Sequence, residues 1–466
     1  MKTIDTEALV LGAGPGGYET AIRLEQYGID TTLVDHGNPG GVCLNWGCIP
    51  SKALIHASNV FEDIQHADQL GIDVGSPSID MPDLVDWKDR IVTKLTRGVE
   101  HLMNNSGVDV VYGHGSFIAS NELAVTREGD SDLTVKFDNA IVASGSSPIE
   151  LPGFSFDGEH LLSSRDILEL EEVPENLVLI GGGVIGLELG TVFAKFGANV
   201  TVVEVMDQLL PGTDPDLVKV VRKKLEDLGV DIYLESSAED IIEKRKYKYV
   251  QVNTPDGEEE IQAEKVLMCV GREPNTDELG LENTDVELNE DGFIQTDLHQ
   301  RTTDEHIFAI GDVAGPPLLA HKASSEGLAV AGALAGKSTA ADFQAIPGVI
   351  FTDPEIAETG MSVEEAEEQG YNPVVGTFPL QASGRAMTTN STEGLVKVIA
   401  DKETDIVLGV KIASDHASEL ITEGTLAIEM AATVEDLTFA IHPHPTLSES
   451  VLEAAEDVHD LSIHKP

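Results

Sequence analysis

The stretch ALVLGAGPGGYETAIRLEQYGIDTTLVD, residues 8–35, decides the fold of this 466-residue chain, because a second stretch repeats its layout. The second stretch is LVLIGGGVIGLELGTVFAKFGANVTVVE, residues 177–204. Each reads as an apolar strand, a glycine turn, an amphipathic helix and a second strand that ends on a carboxylate. In both stretches the first glycine stands 23 positions before that carboxylate. The repeat predicts an α/β chain with two nucleotide-binding βαβ units.

The first glycine turn has the spacing of a dinucleotide-binding turn. Gly12 allows the tight turn, Gly14 lets a pyrophosphate approach the backbone, and Gly17 lets helix and strand pack closely. The helix N-terminus then presents free amides and the positive end of its dipole to the phosphates. Asp35 stands where a carboxylate would bind ribose hydroxyls. A glycine turn alone can serve packing only, but here strand, helix and acid all fall in register.

The second glycine turn repeats the pattern with Gly181, Gly183 and Gly186. Glu204 ends its second strand, and no Arg or Lys follows as far as Leu210. A carboxylate accepts hydrogen bonds from a ribose 2′-hydroxyl and repels a 2′-phosphate, so this unit should prefer NAD to NADP. The alternative is that Glu204 is an ordinary surface acid.

The charge balance excludes several classes of protein. With 29 basic and 82 acidic residues the formal net charge is −53, which repels phosphate backbones and argues against nucleic-acid binding. No window approaches the ~20 apolar residues of a membrane span, and the N-terminus lacks the layout of a signal peptide, so we expect a cytoplasmic protein. The composition resembles that of halophilic proteins. We therefore hypothesise a molar-salt cytoplasm, where screening relaxes the self-repulsion.

The three cysteines suggest redox chemistry. They are too few for a secreted disulfide scaffold or a four-cysteine metal site, and we predict no metal. Cys43 and Cys48 lie in GGVCLNWGCIPSKAL, residues 40–54, and the sequence from Pro50 onward reads as helix. A cysteine at a helix start has a stabilised thiolate and is reactive. The alternative is a pair of buried structural thiols.

At this motif the chain resembles the flavin disulfide reductases, the class I pyridine nucleotide-disulfide oxidoreductases, and the resemblance covers essentially the whole sequence. It implies that FAD occupies the first unit and NAD the second, with a redox-active disulfide against the flavin. Cys43 would be the thiol that exchanges with substrate sulfur, and Cys48 the thiol nearest the flavin. Lys52 would lie beside the flavin N5, paired with Glu188, and its positive charge would stabilise the anionic reduced flavin.

Further positions match the cofactor-binding positions of the family. TDEHIFAIGDVAG, residues 303–315, resembles its second FAD sequence, in which Asp312 would bind the ribityl chain; read alone, Gly-Asp after a strand is only a turn. The other matching FAD positions are Gly115, Gly145 and Ala320, and the matching positions in the turn that closes over NAD are Gly271 and Arg272. The usual Ala-Thr-Gly is Ala143-Ser144-Gly145 here, which retains the hydroxyl.

The segment HPHPTLSE, residues 442–449, is the last candidate element. The resemblance makes His444 the base and Glu449 the carboxylate that orients it, contributed from the other subunit of a homodimer. Thiol–disulfide exchange proceeds through a thiolate, and an imidazole can accept and return that proton near neutral pH. His442 fits a base by residue type, but the match places it outside the active role. The segment could otherwise be a simple interface turn.

These features predict four consecutive regions. Residues 1–150 would form a Rossmann-like FAD domain carrying the redox disulfide, and residues 151–270 a Rossmann-like NAD domain. Residues 271–342 would complete the FAD site, and residues 343–466 would form an α+β dimerisation domain.

Within the family, several features favour the oxidation of dihydrolipoamide by NAD. No cysteine follows Cys269, so the extra C-terminal thiols of mercuric and large thioredoxin reductases are missing. Glu204 disfavours the NADPH-linked glutathione reductases, and the cysteine pair disfavours soluble transhydrogenase. The expected partner is dihydrolipoamide or a lipoyl-carrying protein of a 2-oxoacid dehydrogenase or glycine cleavage complex. The alternatives are an NAD-linked reductase of another low-molecular-weight disulfide, a diaphorase-like flavoprotein, and a non-catalytic complex subunit.

Overall fold

The structure is a computed structural model that describes residues 2–127, 129–244 and 247–465. Met1 and Pro466, the outer ends of the first and last predicted domains, lie outside these ranges. Within the described ranges every helix is too short or too polar to span a lipid bilayer.

The N-terminal part of the chain builds a sheet around one central strand. Its elements are β1 (Lys2–Leu11), α1 (Pro15–Gln26), β2 (Thr31–Asp35), α2 (Gly41–Trp46), α3 (Cys48–Gln65), α4 (Met81–Ser106), β3 (Asp109–Tyr112), β4 (His114–Ala119), β5 (Glu122–Thr126), β6 (Leu133–Val142) and β7 (Ser146–Pro148). β1 pairs in parallel with β2 on one side and with β6 on the other. The order is β3-β2-β1-β6-β5-β4. Residues 8–11 of β1 are all buried, as expected for a parallel strand covered on both faces.

The second unit repeats this architecture. Its elements are β8 (Leu161–Leu162), β9 (Asn176–Ile180), α5 (Val184–Lys195), β10 (Asn199–Val203), α6 (Pro215–Asp227), β11 (Asp231–Tyr233), β12 (Ser237–Lys244), β13 (Tyr247–Thr254), β14 (Gly257–Ala263), β15 (Lys265–Met268) and β16 (Arg272–Pro274). A parallel sheet runs in the order β11-β10-β9-β15-β8, and β12, β13 and β14 form an antiparallel sheet beside it. β16 pairs antiparallel with β7, which ties the two units together.

The remaining chain returns to the first sheet and then builds an antiparallel one. The elements are β17 (Ile307–Ala309), α7 (Ala320–Leu334), β18 (Gly348–Ile350), β19 (Glu355–Gly360), α8 (Val363–Glu368), β20 (Pro373–Pro379), α9 (Gly384–Thr388), β21 (Leu395–Asp401), β22 (Val407–Ser414), α10 (Ala417–Glu429), α11 (Val434–Phe439) and α12 (Glu449–Asp457). β17 pairs in parallel with β6 and becomes the seventh strand of the first sheet. The C-terminal sheet has the order β18-β19-β22-β21-β20, with α10 against β19 and β22, and α12 against β20 and β21.

This architecture confirms the predicted fold class of two Rossmann-like units and a C-terminal α+β region. The helix after the cysteines begins at Cys48, two residues before the predicted Pro50, so the second cysteine is itself the first helical residue. The four domain boundaries stay predictions.

A cluster of charges around the buried Lys195 joins the helix that starts at Cys48 to the rest of the molecule. Lys195 of α5 lies 2.7 Å from a carboxylate oxygen of Glu62 in α3 and 2.5 Å from one of Asp353. Lys224 of α6 contacts the same two carboxylates at 2.7 and 3.1 Å. The Lys195 side chain is only 1% exposed. This interdomain ionic cluster, Glu62, Lys195, Lys224 and Asp353, therefore fixes α3 against the second unit and the segment before β19.

Candidate active site

The two candidate redox cysteines lie at the junction of two short helices. Cys43 is in α2, Cys48 begins α3, and both are free thiols, so the structure represents the dithiol form. A hydrogen bond from the Cys43 thiol lowers the pKa of Cys48 to about 7, against the raising effect of burial and with the help of the Lys52 charge. The same hydrogen bond, followed by burial, raises the pKa of Cys43. The dithiol form therefore keeps its thiolate on Cys48 and its proton on Cys43.

The cysteine loop is packed directly onto the first glycine turn. The Gly40 amide donates to the Ala13 carbonyl at 2.8 Å. A Cβ on Gly41 would lie 2.6 Å from the Gly14 Cα, so only glycine permits this approach. The Asn45 side chain, which the sequence gave no reason to single out, donates to the Gly41 carbonyl at 2.9 Å. These contacts set the cysteines over the nucleotide-binding turn.

Lys52 and Glu188 meet as predicted, although 136 positions separate them in sequence. The Lys52 ammonium donates to the Glu188 carboxylate at 2.8 Å, and Glu188 is buried. The second Glu188 oxygen accepts from the Phe351 amide at 2.9 Å, and the Phe351 ring centroid lies 4.5 Å from the Lys52 ammonium. α3, α5 and the C-terminal region thus hold one cation a helical turn beyond Cys48.

The first glycine turn has the shape that a pyrophosphate requires. Gly12 has a φ of +109°, and a Cβ there would lie 2.3 Å from the Ala143 carbonyl oxygen. At Gly14 the space beyond the backbone is open, which leaves room for phosphate at the N-terminus of α1. A Cβ on Gly17 would lie 1.9 Å from the Gly12 carbonyl oxygen. All three glycines thus meet the requirement of the sequence pattern: Gly12 makes the tight turn, Gly14 leaves room for phosphate, and Gly17 allows close packing of helix and strand.

Asp35 closes the first nucleotide site. Its carboxylate accepts hydrogen bonds from the Ala13 amide at 2.5 Å and the Gly37 amide at 2.6 Å. Each oxygen has one backbone donor, so each keeps a free lone pair for a ribose hydroxyl. These two free acceptor positions fit the hydroxyls of a dinucleotide ribose.

Three of the other predicted FAD residues, Asp312, Gly145 and Ala320, lie where a cofactor could contact them, and the fourth, Gly115, serves packing. Asp312 accepts from the Ser146 hydroxyl at 2.5 Å, and Gly145 precedes that serine. Ala320 is the first residue of α7. Gly115 has a packing role in the structure, since a Cβ there would lie 2.8 Å from the Leu11 side chain.

The second FAD sequence is held by two residues that the sequence reading missed. Glu326 accepts from the Gly311 amide at 2.7 Å, and Lys322 donates to the Gly315 carbonyl at 3.0 Å. The two side chains are buried and pair with each other at 2.8 Å. Their spacing of four positions within an apolar helical segment was the available signal.

The second glycine turn reproduces the first. Gly181 has a φ of +104° and packs on the Cys269 carbonyl, the space beside Gly183 is open, and Gly186 packs on Gly181. The Glu204 carboxylate accepts from the Gly182 amide at 2.6 Å and the Met206 amide at 2.8 Å. A cavity of about 750 Å³ opens here, and its lining includes Gly181, Gly183, Glu204, Cys269, Gly271 and Arg272. Its size suits a dinucleotide.

Arg272 reaches out of this cavity toward the first unit. Its Nε donates to the Ser146 hydroxyl at 2.7 Å, and a terminal guanidinium nitrogen donates to the Ser146 carbonyl. Ser146 in turn donates to Asp312, so one chain of hydrogen bonds links the two nucleotide sites. The sequence reading assigned Arg272 to the NAD turn alone.

The candidate base lies on the surface of the single chain. His444 Nδ1 lies 2.8 Å from Glu449, and the His444 side chain is 81% exposed. Burial acts to raise the pKa of Glu449, but the Thr446 amide and His444 outweigh it and lower the pKa below its ordinary value. Among the described residues, no hydrogen bond or ion pair joins His444 to Cys43 or Cys48 of the same chain.

Two dinucleotide-shaped sites with a polarised thiol pair beside them define a nucleotide-dependent dithiol oxidoreductase. The sequence profile described as pyridine nucleotide-disulphide oxidoreductase matches residues 6–327, and that of its dimerisation domain matches residues 346–455. The chain belongs to this family.

Relatives of known name cover nearly the whole chain. Dihydrolipoyl dehydrogenase 2 of Haloarcula marismortui is 50% identical over 99% of this chain and 98% of the relative. Dihydrolipoyl dehydrogenase of Haloferax volcanii is 50% identical over 98% and 97%. Among solved structures, LpdA of Mycobacterium tuberculosis superposes with a TM-score of 0.90 at 28% identity, covering 97% of this chain and 99% of that one.

Proposed function

We propose that this chain is a dihydrolipoyl dehydrogenase, which oxidises dihydrolipoamide to lipoamide and reduces NAD+. The observation that carries the proposal is the placement of Cys43 and Cys48 on the first glycine turn, with Lys52, paired with Glu188, one helical turn beyond Cys48. Relatives of nearly the same length that bear this name, from Haloarcula marismortui, Haloferax volcanii and Geobacillus stearothermophilus, support it. The favoured substrate is a small dithiol that can close into a ring as it is oxidised.

The thiol exchange follows from the two cysteines. In the oxidised enzyme Cys43 and Cys48 form a disulfide, and a substrate thiolate attacks Cys43, which releases Cys48 as a thiolate. The second substrate thiolate then attacks the substrate sulfur bound to Cys43, which closes the lipoamide ring and releases Cys43. Two electrons have then passed to the enzyme. One of the two substrate protons ends on Cys43, where the raised pKa retains it, and the other on His444.

The cofactor sites fit FAD in the first unit and NAD in the second. Gly14, Asp35 and Asp312 would hold FAD, and Gly183 and Glu204 would hold NAD. When bound, FAD supplies the two-electron acceptor for the thiol pair and NAD+ the hydride acceptor. Glu204 presents a carboxylate to the ribose, which favours NAD over NADP.

We propose that the base comes from a second copy of the chain. The match to the family's dimerisation domain supports a homodimer, and the exposure of His444 leaves it free to enter the partner's site. Glu449 would hold the Nδ1 proton of His444 so that Nε2 faces the substrate thiol. We further propose a cytoplasmic enzyme that serves a lipoyl-carrying protein of a 2-oxoacid dehydrogenase or glycine cleavage complex.

The deciding experiment is NAD+ reduction by dihydrolipoamide, with purified protein saturated with FAD in molar KCl. We expect rapid turnover with NAD+ and little with NADP+, because Glu204 would repel the 2′-phosphate. The same assay at about 0.1 M KCl should show a loss of activity, since 82 acidic residues then repel one another with less screening. If NADH reduces the bound flavin but dihydrolipoamide gives no turnover, the substrate is a different disulfide or the protein is diaphorase-like.

A further inference from the structure

His442, the other histidine of the HPHP segment, is bound very differently from His444. Its side chain is only 5% exposed, whereas that of His444 is 81% exposed. Its Nδ1 lies 3.0 Å from the Ala440 carbonyl oxygen, and its Nε2 lies 2.8 Å from the Glu423 carboxylate. Both ring nitrogens therefore face oxygen atoms of the protein, with the Ala440 contact exposed and the Glu423 contact half-buried.

Those two partners fix the protons of the ring. A carbonyl oxygen and a carboxylate oxygen can only accept hydrogen bonds, and a neutral imidazole carries one N–H to donate. With a single ring proton, one nitrogen lone pair of His442 would face an acceptor although its side chain is only 5% exposed, which is unfavourable. The doubly protonated imidazolium satisfies both contacts, and the Glu423 carboxylate balances its charge.

The His442 contacts also anchor the turn that carries the candidate base. Glu423 belongs to α10, which packs on β19 and β22 of the C-terminal sheet. His442 thereby ties the segment between α11 and α12 to that sheet, two residues before His444. At His442, the contact with Glu423 is a side-chain link from this segment to a helix outside it.

The charge of His442 acts on the dyad as well. Burial raises the pKa of Glu449, while the Thr446 amide, His444 and, more weakly, His442 lower it. His442 thus acts on two carboxylates, on Glu423 of α10 by direct contact and on Glu449 of α12 through its charge. A cation at His442 helps to keep Glu449 ionised and able to accept the Nδ1 proton of His444.

We propose that His442, held as an imidazolium between Ala440 and Glu423, is a positioning residue for the His444–Glu449 dyad. It anchors the turn to α10 and maintains the charge on Glu449. The proposal rests on the proposed function in one respect, namely that His444 is the base that takes the proton of the substrate thiol.

The protonation of His442 can be measured without substrate. Histidine labelled with ¹³C at Cε1 would be incorporated into the FAD-loaded dimer, and His442→Gln would identify the signal by its loss. We expect that signal at the imidazolium position at pH 7 in the unmodified protein. In Glu423→Gln it should move to the neutral position, because the amide can donate to Nε2. A neutral His442 in the unmodified protein at pH 7 would overturn the proposal.

The positioning role is tested by the pH dependence of dihydrolipoamide oxidation. His442→Gln and Glu423→Gln should each lower kcat about 10- to 100-fold, less than loss of the base itself, and shift the midpoint of the pH profile. NADH-driven reduction of ferricyanide, which needs no base, should stay unchanged and should show that FAD and fold are intact. His459→Gln is the matched control, since it removes another histidine–carboxylate pair, with Asp405 at 2.9 Å, from the same region.

The outcomes separate the two proposals. If the unmodified protein oxidises dihydrolipoamide and both variants keep its kcat and pH profile, His442 has no positioning role. If the unmodified protein gives no turnover with dihydrolipoamide, the proposed function fails, and the NMR signal still decides whether His442 is an imidazolium.

Discussion

The cysteine half and the histidine half of the candidate site differ in how completely one chain builds them. The cysteines are packed on the first glycine turn, and Lys52 beside them is paired with the buried Glu188. His444 is bonded to Glu449 of its own turn and is otherwise exposed. One folded chain thus builds the surroundings of the proposed redox thiols and leaves the proposed base exposed. This difference supports the proposal that a second copy of the chain completes the histidine half.

The largest effect should come from the cysteine half. Cys43→Ser or Cys48→Ser should lower dihydrolipoamide oxidation by more than about 10⁴-fold, because a serine hydroxyl does not ionise near neutral pH. NADH-driven ferricyanide reduction should persist, since it bypasses the thiols. Cys269→Ser is the matched control and should retain reduction of the bound flavin by dihydrolipoamide, a readout that does not depend on the NAD cavity that Cys269 lines. Appreciable turnover in Cys43→Ser would show that the disulfide is only regulatory.

The histidine half should give the next largest effect. His444→Gln should lower dihydrolipoamide oxidation by about 10²- to 10⁴-fold, the usual contribution of a general base. The informative measurement mixes His444→Gln and Cys43→Ser chains by joint refolding. If the base crosses between subunits, mixed dimers contain one intact site, and the statistical mixture should recover about a quarter of normal activity. No recovery above the two inactive parents would place the base in the same chain as its cysteines.

The rigidity of the cysteine half should depend on the interdomain ionic cluster. Lys195→Met would leave the half-buried carboxylates of Glu62 and Asp353 with Lys224 as their remaining cation, and the loss should be about 1–3 kcal/mol of the free energy of unfolding, below the cost of breaking a fully buried pair. Thermal melting in molar KCl would detect the loss. Lys219→Met provides the control, because its pair with Asp216 is exposed and should contribute under about 1 kcal/mol. Equal melting temperatures for the two variants would contradict a structural role for the cluster.

The smallest effect concerns the charge beside the thiols. The pKa of Cys48 in the dithiol form is about 7, set first by the Cys43 hydrogen bond and then by Lys52 against burial. The thiolate should therefore persist above about pH 7 and be lost as the pH falls through that value. Lys52→Met removes a favourable charge and should move the midpoint upward by about one pH unit. Thiolate absorbance at 240 nm during an anaerobic pH titration would measure it, and an unchanged midpoint would contradict the assigned influence of Lys52.

The sequence could predict those parts of the site that depend on local spacing. The glycine turns could be predicted because a few neighbouring residues leave no room for a side chain at these positions, as the close approach of Gly17 to Gly12 shows. The spacing of Cys43 and Cys48 was equally local. The pairing of Lys52 with Glu188 came only from the family resemblance, since nothing in either segment points to the other.

The missed residues share a different property. Asn45, Lys322 and Glu326 bond backbone groups 4, 7 and 15 positions away, and Ser146 donates to the Asp312 carboxylate of a distant segment. Arg272 was assigned to one nucleotide site, but it donates to Ser146 beside the other. Such contacts depend on how strands β7 and β16 pair, which the residue pattern of neither strand specifies.

By itself, the sequence determined the two nucleotide-binding units, the reactive thiol pair and the acidic surface, because strand and helix periods, glycine turns and charge are properties of neighbouring residues or of composition. Only the tertiary structure decided which histidine of the HPHP segment is buried against Glu423 and which is exposed, since both have the same local sequence chemistry. It also set the hydrogen bond between the two thiols and their burial, which both raise the pKa of Cys43, while the hydrogen bond lowers the pKa of Cys48. Burial and the direction of a hydrogen bond arise from packing between distant segments, which the order of residues along the chain does not display.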